Sequence, residues 1–284
     1  MPLLTTAQRI ADIAGCNVAT MRPLSGGCVA DVTKVGLTDG RNLVVKLGGK
    51  GDLAIESRML KYLAKHSPVP SPKVLHGEQD LLIMEFIEND GHSNRATQCD
   101  LAVLLAGQHQ ITQDQFGLSF GTLIGGLPQP NPPEKDWITF FRDHRLLYMA
   151  NLATKRGQLP VDVMPRIEKF AAKLGDLLPS DTKPSLLHGD LWGGNILYHK
   201  DRIAGLIDPA IYYGDREIEL AFGTLFGDLT PDFFEKYSAV LPIYPGFHEE
   251  RRDIYNLYPL LVHVCLFGGS YVGSVGRILT RFGV

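Results

Sequence analysis

The chain has 284 residues, 44% hydrophobic and 21% charged, with a formal net charge of −3. That is the composition of a soluble globular protein with length enough for one large domain or two lobes. It offers no basic field to draw nucleic acid or an anionic membrane surface. No run of 18 apolar residues is present to span a bilayer, and Cys16, Cys28, Cys99 and Cys265 lack the C-x-x-C spacing of a zinc site or a disulfide framework. The first residues lack a charged start with an apolar core behind it, so a reducing cytoplasm is the expected location.

In chain order, residues 5–14 read as a short helix stopped by Gly15. A β-rich region follows at 21–24, 29–35 and 43–47, with an Asp39-Gly40 hairpin turn before the last run. The Ser25-Gly26-Gly27-Cys28 bend between the first two is a candidate phosphate-covering loop, because glycine lets backbone N–H groups approach oxygens closely. It departs from the G-x-G-x-x-G pattern, and a plain tight turn explains it equally well.

Lys46 closes a strand, and the spacing predicts a helix over 52–65 with Leu53, Glu56, Met59 or Leu60, and Leu63 on one face. A glutamate inside an apolar stripe needs a partner, since burying a charge unpaired is costly. Lys46 is the obvious candidate. Prolines at 68, 70 and 72 break that helix, and strands are expected at 73–76 and 81–84. The second strand runs into a polar connector beginning Glu85-Phe86-Ile87. The boundary between a small lobe (1–87) and a larger one (88–284) is expected here. From Thr97 onward helical patterns dominate. Leu101, Leu105 and His109 share a face, and a histidine in such a setting reads as a satisfied structural residue. The Gly/Pro-rich stretch 117–133 reads as an ordered loop, with helices expected over about 136–154 and 165–178.

The chemistry concentrates in residues 186–209. Leu186-Leu187 lead into His188-Gly189-Asp190 and a loop with two glycines ending at Asn195. Residues 196–198 and 203–207 read as a hairpin with Tyr198 facing Ile203 and Asn195 opposite about Leu206. Asn195 and Asp208 then lie side by side, with Asp190 just above. Pro209 disfavours helical geometry at Asp208, so an extended strand end is expected there. Two neighbouring oxygen ligands suit Mg²⁺, and a further carboxylate can orient and deprotonate a hydroxyl. H-x-D-x-x-x-x-N followed by I-D is the catalytic-loop pattern of kinases, and Lys46 with Glu56 is the pair that clamps nucleotide phosphates.

Leu187-His-Gly-Asp-Leu-Trp-Gly-Gly-Asn195 and Ile207-Asp-Pro-Ala-Ile-Tyr-Tyr-Gly-Asp-Arg-Glu217, with Phe116-Gly117, Asp136-Trp137 and Leu225-Phe-Gly227, resemble the fructosamine (ketosamine) kinase family. That family belongs to the aminoglycoside-phosphotransferase-like small-molecule kinases of the protein-kinase-like superfamily, and the resemblance covers essentially the whole chain. Trp192 separates it from generic aminoglycoside or choline kinases. Asp215 stands where many relatives have histidine.

The resemblance implies an α+β, bilobal protein-kinase-like fold, with a small antiparallel sheet lobe plus helix and a larger, mainly helical lobe. It implies ATP and Mg²⁺ as cofactors and phosphorylation of the 3-hydroxyl of a ketoamine, such as fructosyl- or ribulosyl-lysine, followed by release of the free amine. Asp190 takes the base role, Asn195 and Asp208 the metal roles, and Lys46 and Glu56 the phosphate clamp. Gly26 and Gly27 cover the phosphates, and Glu85, Phe86 and Ile87 lie along the adenine. Trp192, Trp137, Tyr212, Tyr213 and Arg216 are candidates for the acceptor site. The expected partners are small ketoamines or glycated lysines of proteins, and the expected state is a monomer. The alternatives are a kinase for another alcohol, of aminoglycoside or choline type, and a nucleotide-binding pseudokinase acting as an interaction protein. Cys28, beside the glycine bend, is a candidate redox switch whose oxidation would block the phosphate path or link two chains.

Overall fold

The computed structural model describes residues 5–24, 31–48 and 52–284. The bend carrying Gly26, Gly27 and Cys28 lies outside the described residues, so the phosphate-loop and redox readings have no structural counterpart here.

Helix α1 (Thr6–Ala14) begins where the Thr5 hydroxyl accepts the Gln8 N–H and ends on Gly15 in a left-handed conformation. This pairing of side-chain N-cap and left-handed glycine stop satisfies backbone groups that a helix leaves open at its ends. Strands β1 (Val18–Pro23), β2 (Asp31–Leu37) and β3 (Asn42–Leu47) follow. Helix α2 (Leu53–His66) is N-capped by Asp52, and strands β4 (Val74–Gly77) and β5 (Leu81–Glu85) complete the region. The five strands form one antiparallel sheet in the order β1-β2-β3-β5-β4. One face packs Val35, Leu43, Val45 and Ile83 against Ile10 of α1, while Leu82 and Met84 meet Leu53 and Leu60 of α2. The alternation of strand side chains therefore puts a helix on each side of the central strands. Met84 is a core residue of this second cluster.

After the connector come α3 (Arg95–His109), the hairpin β6 (Thr122–Ile124) and β7 (Leu127–Gln129), α4 (Trp137–Phe141), and α5 (Leu147–Lys155), the last two joined by a π-helical turn. Then follow α6 (Val163–Ala171), α7 (Leu174–Leu177), β8 (Ser185–Leu187), β9 (Ile196–His199), β10 (Arg202–Leu206) and β11 (Tyr212–Gly214). Helices α8 (Arg216–Thr224), α9 (Pro231–Val240), α10 (Arg252–Phe267) and α11 (Val272–Arg281) close the chain. A single large apolar cluster runs through these elements from Leu101 to Leu279. Three two-stranded pairs are embedded in it, β6–β7, β8–β11 and β9–β10. The expectation of a single hairpin in this part undercounts them. The Gly/Pro-rich stretch is partly the β6–β7 hairpin, turning through Gly125-Gly126.

Candidate active site

The catalytic stretch folds as β8, a tight turn, a loop and the β9–β10 hairpin. Tyr198 pairs with Ile203 as expected, but a bulge between Ile203 and Gly205 shifts the register. Ile196 rather than Asn195 therefore opposes Leu206, and the Asn195 carbonyl accepts the Ile207 N–H at 3.0 Å. The hairpin is tied to the connector after β5. Asp90 N donates to the Tyr198 carbonyl, and the Asn89 side chain accepts the Tyr198 N–H. These bonds hold the two ends of the site together across more than a hundred residues.

Lys46 on β3 is the centre of the charged cluster. Its Nζ lies 2.7 Å from Glu56 Oε1 of α2 and 2.5 Å from Asp208 Oδ1 beyond β10. Burial by itself would lower the ammonium's pKa, but the Glu56 and Asp208 carboxylates outweigh it and raise it, so Lys46 is charged. The backbone at Asp208 has φ 54°, a left-handed conformation and not the extended one expected. Pro209 excludes the right-handed helical region, and aspartate tolerates the left-handed one. Asp208 keeps 43% of its side chain exposed, so it bridges to Lys46 without being sealed.

Asp190 follows the turn. Asn195 Nδ2 donates to both its carbonyl and its Oδ2, at 2.8 and 2.9 Å. Desolvation, reinforced by the nearby Asp208 and Glu219, pushes the Asp190 carboxyl up to about 7. A carboxyl poised near neutrality can accept a proton in the transition state and lose it afterwards. Asn195 and Asp208 share one end of the hairpin, but their side chains reach different partners, Asp190 and Lys46. Among the described residues no group of three or more His, Cys, Asp or Glu forms a ready-made metal cage. The half-exposed Asp208 carboxylate and the Asn195 amide instead offer a few hard oxygens, which suits an ion that keeps phosphate and water ligands.

Glu219, which the motif reading passed over, holds the turn from beneath. Its Oε1 accepts the Gly189 N–H at 2.6 Å and its Oε2 the His188 N–H at 3.2 Å. The same Oε2 lies 2.8 Å from His109 Nε2, and His109 Nδ1 lies 2.7 Å from the Tyr237 hydroxyl. His109 is thus the satisfied structural histidine expected. Burial pushes the Glu219 pKa up, but His109, His188 and the Gly189 N–H more than reverse this and keep it ionised. His188 is buried and its imidazole pKa is lowered by desolvation, which keeps it neutral. Gly189 has φ 83°, and a Cβ there would overlap the Ala210 carbonyl oxygen. Only glycine lets the turn lie flat on the backbone just past Asp208, at Ala210. The one sequence sign of Glu219 is its place between the apolar residues Ile218, Leu220 and Ala221 of α8, much as Glu56 lies in an apolar stripe.

Of the acceptor candidates, Trp192 alone is a large exposed aromatic, at 41%. Its indole lies over Gly194, where a side chain would collide with the ring. Trp137 is a correction. It is buried, stacks on Phe140 and Phe141, and donates its Nε1–H to the Tyr255 hydroxyl at 3.0 Å. Burying such a ring stabilises the core by roughly 2–3 kcal/mol, and it is closed to substrate. Tyr212 lies under the Arg145 guanidinium and Tyr213 bonds the Tyr62 hydroxyl, so both are core residues too. Arg216 donates to the Tyr237 hydroxyl and to the Leu241 and Pro242 carbonyls, fixing α8 to the end of α9. Asp215 is also internal. It N-caps α8 and accepts the Tyr255 hydroxyl.

At the connector, Glu85 is exposed at the end of β5, and Lys34 Nζ sits 3.5 Å over the Phe86 ring. Ile87 packs toward Gly205, where a side chain would collide with it. Of the three, Ile87 thus meets the β9–β10 hairpin, while Glu85 and Phe86 stay with the sheet. Cys265 is buried, its thiol pushed up to about 11 by desolvation, as expected of an inert core cysteine. No helix among the described residues is long and apolar enough to cross a membrane.

Comparison with known proteins agrees with this geometry. The fructosamine kinase family profile matches residues 4–282. A probable ketoamine kinase of Enterococcus faecium is 35% identical over 92% of this chain and 94% of its own length. A putative fructosamine-3-kinase structure from Thermobifida fusca superposes with a TM-score of 0.88 at 30% identity, over 98% of this chain and 99% of that one. The streptomycin–ATP–APH(2'')-IIa complex shares the fold, with a TM-score of 0.63 at 18% identity over 99% and 97% of the two chains. Profile, identity and fold therefore agree on an α+β protein-kinase-like phosphotransferase, and the chain belongs to the fructosamine kinase family.

Proposed function

We propose that this protein transfers the γ-phosphoryl group of ATP to the 3-hydroxyl of a ketoamine, a ketose sugar joined to an amine such as the ε-amine of lysine. Mg²⁺ bound with the nucleotide supplies neutralisation of phosphate charge and alignment of the transferring group. Asp190 takes the proton from the 3-hydroxyl as that oxygen forms its bond to phosphorus and the bond to the ADP oxygen breaks. Asn195 fixes the Asp190 carboxylate, and with Asp208 it offers oxygens to the metal. Lys46 would meet the nucleotide phosphates with Glu56 holding its ammonium in place, leaving Asp208 available to hold the metal. Catalysis of this kind is positioning and electrostatics, with little covalent work for the protein.

Once the C1–C2 unit of the product shifts to its enaminol, the nitrogen lone pair can expel phosphate from C3, and water then hydrolyses the resulting C1 imine to the free amine and a 3-deoxy dicarbonyl sugar. On this reading the reaction removes sugar from small amines or from lysines of proteins. The 1–87 and 88–284 segments act as nucleotide and acceptor lobes, and the protein works as a monomer.

The observation that carries this reading is the Lys46–Glu56–Asp208 cluster beside the Asp190–Asn195 pair, in a chain of the fructosamine kinase family. The test is ATP consumption with ribulosyl-lysine, fructosyl-lysine, an aminoglycoside and choline, with the product's phosphate located by ³¹P–¹H correlation. Turnover confined to the ketoamines with phosphate on O3 is the expected result. Turnover of only the aminoglycoside or choline refutes it.

A further inference from the structure

A row of aromatic rings leads away from the catalytic loop. Trp192 meets Phe226 with ring centres 6.2 Å apart, Phe226 meets His263 at 5.2 Å, and His263 meets Tyr271 at 4.8 Å. Trp192 and Phe226 are 41% and 44% exposed, so these rings form a surface and are not core. Exposed aromatics joined in a line are uncommon on a protein with nothing to place there.

Leu225, the chain neighbour of Phe226, is also a wall of a cleft of about 380 Å³ between the end of α8 and the helices α10 and α11. On α10, Asn256, Leu260 and His263 recur every three or four residues, and on the last segment Tyr271, Ser274 and Ile278 do the same. Residues so spaced share one helix face. The cleft is therefore the continuation of the aromatic row along the same two faces. Its walls are Leu225, Leu260 and Ile278. Asn256, 5% exposed, lines it, and its buried amide oxygen has no hydrogen-bond partner. A buried amide left unpaired is costly, unless a ligand or water completes it.

Three charged side chains line the cleft, Asp253, Arg277 and Arg281. Asp253 and Arg281 are paired to each other, and Arg281 also donates to the Glu249 carbonyl. Arg277 has Ser274 Oγ as its partner at 2.7 Å, which leaves most of its guanidinium donors free. The excess charge is positive and belongs to Arg277. Apolar walls, an unpaired amide and a guanidinium together match a peptide. An apolar side chain fills the walls, the backbone amide meets Asn256, and a carboxylate meets Arg277 in the two-pronged fashion guanidinium favours.

We propose that this cleft is a peptide subsite, resting on the ketoamine kinase reading above, and that the preferred acceptor is a ketoamine on the ε-amine of lysine in a short peptide, followed by an apolar residue and a terminal carboxylate.

The test compares three ketoamines in the wild-type protein and in Arg277→Gln, whose site is on the surface of α11. They carry the sugar on lysine alone, on Lys-Leu, and on Lys-Leu with its terminus amidated. Both kcat/KM for ATP-dependent turnover and calorimetric Kd for each acceptor are measured. The wild type should favour Lys-Leu over lysine and over the amidated peptide by about tenfold, mainly through KM and Kd. In Arg277→Gln the preference for carboxylate over amide should disappear. Equal Kd for all three in the wild type, or a carboxylate preference that survives the substitution, overturns the subsite. If the Kd pattern holds while no ketoamine is phosphorylated, the subsite stands and the kinase reading of the acceptor falls.

Discussion

The open cluster around Lys46 and the row of acids at the start of α8 are built from the same materials and end in opposite states. In the first, two carboxylates share one ammonium, and Asp208 leaves 43% of its side chain in solvent. In the second, Asp215, Glu217 and Glu219 are 5%, 1% and 2% exposed. Each is already matched, to Tyr255, to Arg251 at 2.6 Å, and to His109 with the His188 and Gly189 amides. A sealed and paired carboxylate cannot change partners without leaving another buried group unpaired, which is strongly destabilising. A half-exposed one can exchange an ammonium for a metal or a phosphate-bound ion. Burial and pairing thus divide one residue type into scaffold and reagent.

Substitutions that keep shape and remove charge test that division. The largest effect belongs to the open side. Asp190→Asn and Asp208→Asn should each lower kcat by about 10³-fold or more, with the melting temperature nearly unchanged. Steady-state ADP release alongside a melting curve measures both. A variant with near-normal kcat would remove its residue from the chemistry.

The next concerns Asp215. Its burial, with Glu217 beside it, pushes the carboxyl up to about 6 from the ordinary 3.8. A group raised on folding contributes stability below its unfolded pKa and loses it as pH rises through the folded value. The wild type should therefore lose up to about 3 kcal/mol relative to Asp215→Asn between about pH 3 and pH 7, from 2.2 pH units at about 1.36 kcal/mol each. Denaturant melts at the two pH values read this directly, and parallel changes in the two proteins would contradict it.

Glu219→Gln should lower kcat by about 30-fold and also lower the melting temperature, because the turn under Asp190 loses a charged acceptor. KM for ATP should stay within about twofold. Unchanged kcat would show that the turn holds itself. Trp192→Ala should raise KM for the ketoamine by about tenfold and leave KM for ATP alone. Equal changes in both would make the tryptophan a prop for the loop.

The parts legible from the residues are those where a short-range rule has one answer. His188 to Asp208 spans one loop and one hairpin, so spacing alone brings Asp190 and Asn195 together. Glu56 in an apolar stripe demands a cation, and Lys46 is near enough to supply it. The conformation of Asp208 was not legible, because proline excludes one backbone region without choosing between the remaining two. Tyr212 and Tyr213 were misjudged because neighbouring residues of a strand point to opposite faces, and Trp137 because the aromatic run of α4 stacks inward on itself. Both faces of β11 are buried here, so both tyrosines are internal. Phe226, His263 and Tyr271 come from three segments, and no period in the chain links them to Trp192. Gly26, Gly27 and Cys28 fall outside the described residues.

The most direct measurement of the division between reagent and scaffold is calorimetric titration of ATP, with and without Mg²⁺, into Asp190→Asn, Asp208→Asn and Glu219→Gln. Asp190→Asn and Glu219→Gln should keep the wild-type gain in affinity on adding Mg²⁺, since neither side chain is assigned to the metal. Asp208→Asn should lose that gain. A Mg²⁺-dependent gain that survives in Asp208→Asn and vanishes in Asp190→Asn or Glu219→Gln would contradict the assignment of the open cluster.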